Sequence, residues 1–179
     1  MMKRLVVVIT SISALVLATA FASEPVTTRH LSVSPSTSAA AVSPGGRVSL
    51  VVDITPKAKM HVYAPGQPDV IPISLTLAAG DASAAQPVQF PPPEKREFKA
   101  LGETHLVYSR PFRLVQDVTI PTSRDLVKRA ASREASVTVK GTLKYQACDD
   151  TICYAPVSVP IAWTLALQST TAQEVKKSR

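Results

Sequence analysis

The residues best suited to chemistry in this chain are its two cysteines, Cys148 and Cys153, which four residues (149–152) separate. One strand pattern ends at Cys148 and another resumes near Tyr154, so the sequence predicts that both sulfurs lie at one hairpin. Antiparallel neighbours bring Cβ atoms to about 4.5–5.5 Å, close to what a disulfide requires. In an oxidising compartment the two cysteines should therefore be able to bond.

Three roles for this pair remain open on the residues alone: redox exchange, a structural staple and a metal site. A staple across so short a loop would contribute about 2 kcal/mol, and a hairpin already closes its own loop. An immunoglobulin-type staple would instead join distant strands, with Trp163 packed on it. Metal binding is the least favoured role, because His30, His61 and His105 are dispersed and none has ligand spacing with the cysteines. We therefore predict no metal and no cofactor beyond the cysteine pair.

The start of the chain carries an export signal. Lys3 and Arg4 precede an apolar run over residues 5–17, and a small-x-small site ends at Ala22. This pattern predicts a signal peptide over residues 1–22 that is cleaved after Ala22. An uncleaved anchor is the alternative, since the run could just cross a bilayer. We predict an exported protein with no stable membrane insertion after cleavage.

The composition of the 179 residues excludes several classes of protein. A hydrophobic share of 45% argues against wholesale disorder, and fifteen prolines argue against a helical bundle. The net charge of +7 comes from scattered lysines and arginines rather than from a basic stripe with interleaved aromatic residues. We therefore predict no nucleic-acid partner. No nucleophile-elbow pattern is present, so a hydrolase is also disfavoured.

Hydrophobic residues alternate with polar ones in several segments, as expected for strands with one buried face. The alternating positions begin at Val48, Ile73, Phe112, Val137 and Val157. Pro- and Gly-rich turns separate these segments, a pattern typical of an antiparallel two-sheet β-sandwich.

The domain organisation follows from these patterns. We predict a flexible segment over residues 23–46 with one strand around His30–Val33, a sandwich over residues 47–168 and a polar tail over residues 169–179. One short helix, of one or two turns, should follow a capping Ser123. Trp163 and Tyr145 are predicted to be core residues.

Three segments carry a family resemblance. The hairpin reads Tyr145-Gln146-Ala147-Cys148 at its start, and Pro156 follows its second cysteine. An earlier aromatic strand and loop spans residues 59–66, and Glu97-Phe98 is followed by Gly102 and Tyr108. Together, from about residue 47 to residue 167, they resemble the N-terminal domain of the membrane thiol:disulfide interchange protein DsbD.

This resemblance implies an all-β, immunoglobulin-like sandwich with a redox-active hairpin. Cys153 would form mixed disulfides with partners and Cys148 would resolve them. Phe98, beside Glu97 in the cap segment, would cover the pair, and Tyr63 would line the site, although Tyr63 could equally be a core residue. The cap segment departs from the family pattern because it is longer before its glycine.

The resemblance also implies a periplasmic location and thioredoxin-like partner proteins. Since no transmembrane donor domain is recognisable in the sequence, a separate membrane protein would supply the electrons. The alternative is a non-catalytic immunoglobulin-like binding or assembly domain whose disulfide is static. From the residues we further expect Asp149 and Asp150 to disfavour a thiolate. His61 and His105 are expected to be strand histidines with satisfied hydrogen bonds.

Overall fold

The computed structural model describes residues 24–98, 102–132 and 135–169. The predicted signal peptide and all but the first residue of the predicted polar tail lie outside these ranges. Within them, no helix has the length and apolar character needed to cross a membrane.

The described residues form thirteen strands and one short helix. In chain order these elements are β1 Val26–Thr27, β2 Leu31–Thr37, β3 Ala41–Val42, β4 Arg47–Pro56, β5 His61–Tyr63, β6 Ser74–Leu77, β7 Ala84–Ala85, β8 Glu94–Phe98, β9 Glu103–Tyr108, β10 Phe112–Thr119, α1 Arg124–Arg129, β11 Ser136–Tyr145, β12 Ala147–Cys148 and β13 Val157–Leu167.

The strands form three sheets. The first has the order β1-β2-β4-β10-β7, the second β3-β13-β11-β6 and the third β12-β5-β9-β8. Apart from the parallel β3–β13 pair, the strand pairs of these sheets are antiparallel. We call the third sheet the hairpin sheet, because β12 carries Cys148 into it.

The core lies between the first two sheets, and period-two alternation builds it. In β4 the predicted inward residues Val48, Leu50, Val52 and Ile54 are all buried, as are those of β11 and, apart from the half-buried Val157, those of β13. Trp163 of β13 is fully buried, and its indole N–H donates to the carbonyl of Val51 in the other sheet at 3.0 Å. The predicted antiparallel β-sandwich and the core position of Trp163 are thus confirmed.

The start of the first sheet differs from the predicted boundary at Arg47. The segment 24–46 contains three strands rather than one, and β2 pairs with β4 from Leu31↔Pro56 to Thr37↔Leu50. Leu31 and Val33 are completely buried. The serines that alternate with these residues lie on the outer face, and their number made the segment look like a linker.

The short helix matches its prediction. Its N-terminus is capped by the Ser123 hydroxyl, which accepts the N–H of Leu126 at 3.1 Å. A capping serine satisfies one of the donors that a helix start leaves free. The helix ends after six residues, within the one or two turns expected.

Candidate redox site

The two cysteines form a disulfide at one hairpin, as their spacing allows. Their Cα atoms lie 4.0 Å apart and the residues face each other as an isolated antiparallel bridge. The Tyr154 N–H donates to the Ala147 carbonyl at 2.9 Å and closes the turn. The two residues differ in exposure, because Cys148 is 1% exposed whereas Cys153 is an exposed residue.

Asp149 holds the loop between the cysteines in shape. One carboxylate oxygen accepts the backbone N–H groups of Thr151 and Ile152 at 2.7 and 2.8 Å, and the other accepts the Tyr154 hydroxyl at 2.9 Å. The two backbone donors, together with the tyrosine hydroxyl, lower the pKa of Asp149. An aspartate that accepts the N–H two residues later is a common way to stabilise a turn. The loop therefore has a defined conformation in the disulfide state.

Alternation in the hairpin sheet divides its residues between core and site. Val62, Tyr108 and Ala147 point into the sandwich core. On the opposite face, Cys148 lies directly across from His61, with Tyr63 two residues further along β5. A second hydrophobic cluster forms on this face from Tyr63, Val107 and Cys148, with Val70 and Phe98 packed against it. We call it the site face.

Tyr63 lies at the disulfide. Its hydroxyl oxygen is 3.7 Å from the Sγ of Cys153, and its ring is buried. Burial and, to a lesser degree, the nearby carboxylate of Glu103 raise the pKa of Tyr63, so the phenol is neutral at physiological pH. Of the two positions open from the sequence, the structure gives Tyr63 the one beside the sulfurs.

Phe98 packs on the same face from β8, at the opposite edge of the hairpin sheet. It is half-buried, and its ring centroid lies 5.1 Å from that of His61 and 5.8 Å from that of His105. Residues 99–101 of the predicted cap segment lie outside the described ranges. Glu97 is exposed and alternates to the other face of β8, away from the site face.

His61 and Arg96 belong to the site although the sequence reasoning did not select them. His61 is completely buried, and its Nδ1 lies 3.4 Å from Nη1 of Arg96, whose other terminal nitrogen donates to the Asp150 carboxylate. Among the described residues, His61 Nε2 has no hydrogen-bond partner. The expectation of a fully satisfied histidine was therefore wrong for His61. In His105 the Nε2 does have a partner, since it lies 2.9 Å from a carboxylate oxygen of Glu103.

Strand parity could have placed both residues on this face. His61 precedes Tyr63 by two positions and Arg96 precedes Phe98 by two, and residues two apart in a strand share a face. Arg96 also changes the electrostatics expected for the hairpin. Asp150 is ion-paired to it and Asp149 is engaged by the turn, so a cation offsets the repulsion predicted for a thiolate.

The electrostatics of His61 follow from the same contacts. Burial, followed by the charge of Arg96, lowers the pKa of His61 to about 4, while Asp149 and Asp150 oppose that shift only in part. The imidazole is therefore neutral at pH 7. No cluster of three or more metal-ligating side chains occurs in the described ranges.

Comparison with known proteins decides the family. The model of the family described as thiol:disulfide interchange protein DsbD, N-terminal, matches residues 29–162, most of the chain. The chain belongs to this DsbD N-terminal family. The match begins before the boundary predicted at Arg47, in agreement with the pairing of β2 in the first sheet. The immunoglobulin-like sandwich expected of the family is confirmed by the mostly-β, antiparallel structure.

One solved structure supports the fold. The N-terminal periplasmic domain of ScsB from Proteus mirabilis superposes with a TM-score of 0.55 at 12% identity, over 86% of this chain and 54% of that one. This chain thus spans about half the length of that solved domain. A family 123 glycoside hydrolase from Clostridium perfringens gives a TM-score of 0.38 at 4% identity, over 78% of this chain and 27% of that one, which carries no argument. No curated protein matches.

Membership in the DsbD N-terminal family and the bonded cysteine pair together indicate a general role in thiol–disulfide interchange.

Proposed function

We propose that this protein is a periplasmic thiol–disulfide exchange module that relays reducing equivalents to or from thioredoxin-like proteins through a reversible Cys148–Cys153 disulfide. The observation that carries the proposal is the unequal access to the two sulfurs. Cys153 is exposed at the surface of the hairpin, whereas Cys148 is buried beneath it. This difference favours attack of an incoming thiolate on Cys153, since access is among the main controls on exchange.

The exchange steps follow from this asymmetry. When the module is oxidised, a donor thiolate attacks Cys153, the disulfide breaks, and Cys148 leaves with the electron pair. The second donor thiol, once deprotonated, attacks the donor's own sulfur in the mixed disulfide and releases Cys153. The donor ends as a disulfide, and the module ends as a dithiol that has gained two electrons and two protons.

Delivery to an acceptor runs through the same intermediate in reverse. The Cys153 thiolate attacks one sulfur of the acceptor's disulfide, and the acceptor's other sulfur leaves as a thiolate. The Cys148 thiolate then attacks Cys153, which restores the internal disulfide and releases the acceptor as a dithiol. In this scheme Cys153 is the partner-facing sulfur and Cys148 the resolving one. The donor would be a separate membrane protein.

Phe98 and Tyr63 would control access to the pair. Phe98 packs against the cluster that contains Cys148, and a partner would displace it to gain full access to the sulfurs. The hydroxyl of Tyr63 beside Cys153 would form the wall of the site. Glu97 is exposed on the other face of β8, so its side chain would not cover the sulfurs. It would belong to the cap segment only as the neighbour of Phe98 in the chain.

Trapping of a mixed disulfide tests this proposal. In Cys148→Ser, Cys153 can still attack a partner's disulfide but the module itself has no resolving thiol, so a covalent complex with a thioredoxin-like protein should accumulate above the wild-type level on a non-reducing gel. Cys153→Ser is the matched control and should trap little, because its remaining thiol is buried. Equal trapping by both variants would refute the assignment of roles. No trapping by either would favour the alternative, an immunoglobulin-like binding domain with a static disulfide.

A further inference from the structure

His61 faces Cys148 with one nitrogen engaged and the other without a partner. A guanidinium group offers only donors, so the Nδ1 that lies 3.4 Å from Arg96 must accept. The neutral imidazole therefore carries its proton on Nε2. That N–H is buried and has no acceptor within the described part of the chain. A buried donor without a partner is costly, so its presence calls for an explanation.

We propose that the Nε2–H of His61 is the hydrogen-bond donor for the Cys148 sulfur once the disulfide opens, and that Arg96 is the positioning residue that fixes the required tautomer. This inference deepens the proposed exchange function and rests on it. In the disulfide state the donor is unused, whereas in the reduced and mixed-disulfide states it has an acceptor.

Register and burial explain why the acceptor would be Cys148. His61 and Cys148 are directly paired across β5 and β12, and antiparallel partners place their side chains on the same face. Cys148 is 1% exposed in the disulfide state, so water has little access to its sulfur at the moment when it leaves as a thiolate. A bonded sulfur is a weak acceptor, but a thiolate accepts strongly because it is charged. Breaking the disulfide frees the sulfur to turn toward the ring.

Arg96 connects this donor to the redox loop. Its guanidinium donates both to Asp150, inside the loop between the cysteines, and toward His61 on β5. Strand β9 lies between β8 and β5, so the arginine side chain spans the width of a strand to make the contact. The guanidinium of Arg96 thereby holds both the position of the loop and the tautomer of the His61 imidazole. Displacing the loop would release both together.

Nitrogen NMR of the histidine rings tests the tautomer directly in the unaltered protein. In the oxidised protein, the ¹⁵N chemical shifts of the His61 ring should show a protonated Nε2 and an unprotonated Nδ1. Reduction with dithiothreitol should move the Nε2 resonance and its proton, because the N–H gains an acceptor. A proton on Nδ1 in the oxidised protein, or a His61 ring unchanged by reduction, would overturn the proposal.

Substitutions test the energetic consequence. His61→Phe keeps a ring but removes the donor, and the equilibrium with glutathione should shift about tenfold toward the disulfide, which corresponds to about 30 mV for a two-electron couple. His61→Gln offers an amide N–H at a similar reach and should recover most of that shift. His105→Phe is the matched control on the same face, since its Nε2 is already partnered by Glu103, and should change the equilibrium less than twofold.

Two results of this titration would contradict the role of His61. One is an equal shift in His61→Phe and His105→Phe, and the other is no shift in His61→Phe. Glutathione and dithiothreitol act without a protein partner. Failure of the module to exchange with thioredoxin-like proteins would therefore refute the proposed function, whereas the NMR and titration results would still test the role of His61.

Discussion

Removing the ring of Phe98 should separate the covering role of this residue from its packing role. In Phe98→Ala the cluster that contains Cys148 loses the aromatic ring packed against it. We expect the reduced variant to be oxidised several-fold faster by a small disulfide such as oxidised glutathione, because access is a main control on exchange.

The cost in stability should be small. A fully buried phenylalanine loses about 3–5 kcal/mol on truncation to alanine, but Phe98 is half-buried at the edge of the hairpin sheet. We expect about 1 kcal/mol, which lowers the melting temperature by about 4 °C for a domain of this size. The matched control is Phe112→Ala. Phe112 is also half-buried, stacks on Tyr108 at 4.3 Å and packs against the core on the first sheet.

The assay follows thiol loss from reduced wild type, Phe98→Ala and Phe112→Ala under identical oxidant. Both variants should melt a few degrees below the wild type, and only Phe98→Ala should oxidise faster. A large fall in melting temperature with unchanged oxidation kinetics in Phe98→Ala would show that Phe98 is a packing anchor. The covering role of Phe98 would then be refuted, and the cover of the disulfide would lie elsewhere.

Three further predictions concern stability. The free energy of unfolding of Cys148→Ser, measured by chemical denaturation, should lie within about 2 kcal/mol of that of the oxidised wild type, since a loop this short gains little from its disulfide. A larger loss would identify the bond as a structural staple. Trp163→Ala should cost about 3–5 kcal/mol by chemical denaturation without changing the reduction potential, because its ring fills the core away from the hairpin. The pKa of His61, lowered to about 4, makes the folded state bind fewer protons than the unfolded one below pH 6.5. Stability should therefore be fully present above that pH and fall as pH is lowered toward 4, and His61→Phe should flatten this part of the profile.

Strand periodicity accounts for what the sequence predicted of the fold. In β4, β11 and β13 the inward residues are hydrophobic side chains apart from Pro56 and Gly141, so a period of two is visible without any knowledge of partners. β2 was placed only in part, because its inward residues Leu31, Val33 and Pro35 alternate with serines in a stretch of turn-like composition. Its strand character depends on pairing with β4, which no local pattern reports.

Some residues of the site could also be identified from the sequence, and others could not. The cysteines, Tyr63 and Phe98 could be selected because their types and motif positions point to exchange chemistry. His61 and Arg96 act through each other from strands that are not neighbours, so the contact depends on how the hairpin sheet is ordered. The tautomer that follows from it is a property of the packed site, and spacing along the chain does not encode it.

The reduction potential of the Cys148–Cys153 pair tests the central claim most directly. Equilibration of the wild type against glutathione or dithiothreitol buffers, with the redox forms resolved after thiol alkylation, gives the value. A reversible exchange module should fall in the range of thioredoxin-like proteins, about −120 to −270 mV, so that electrons can pass in either direction. A potential well below about −300 mV, typical of structural disulfides, would contradict the exchange function and identify the bond as a static staple.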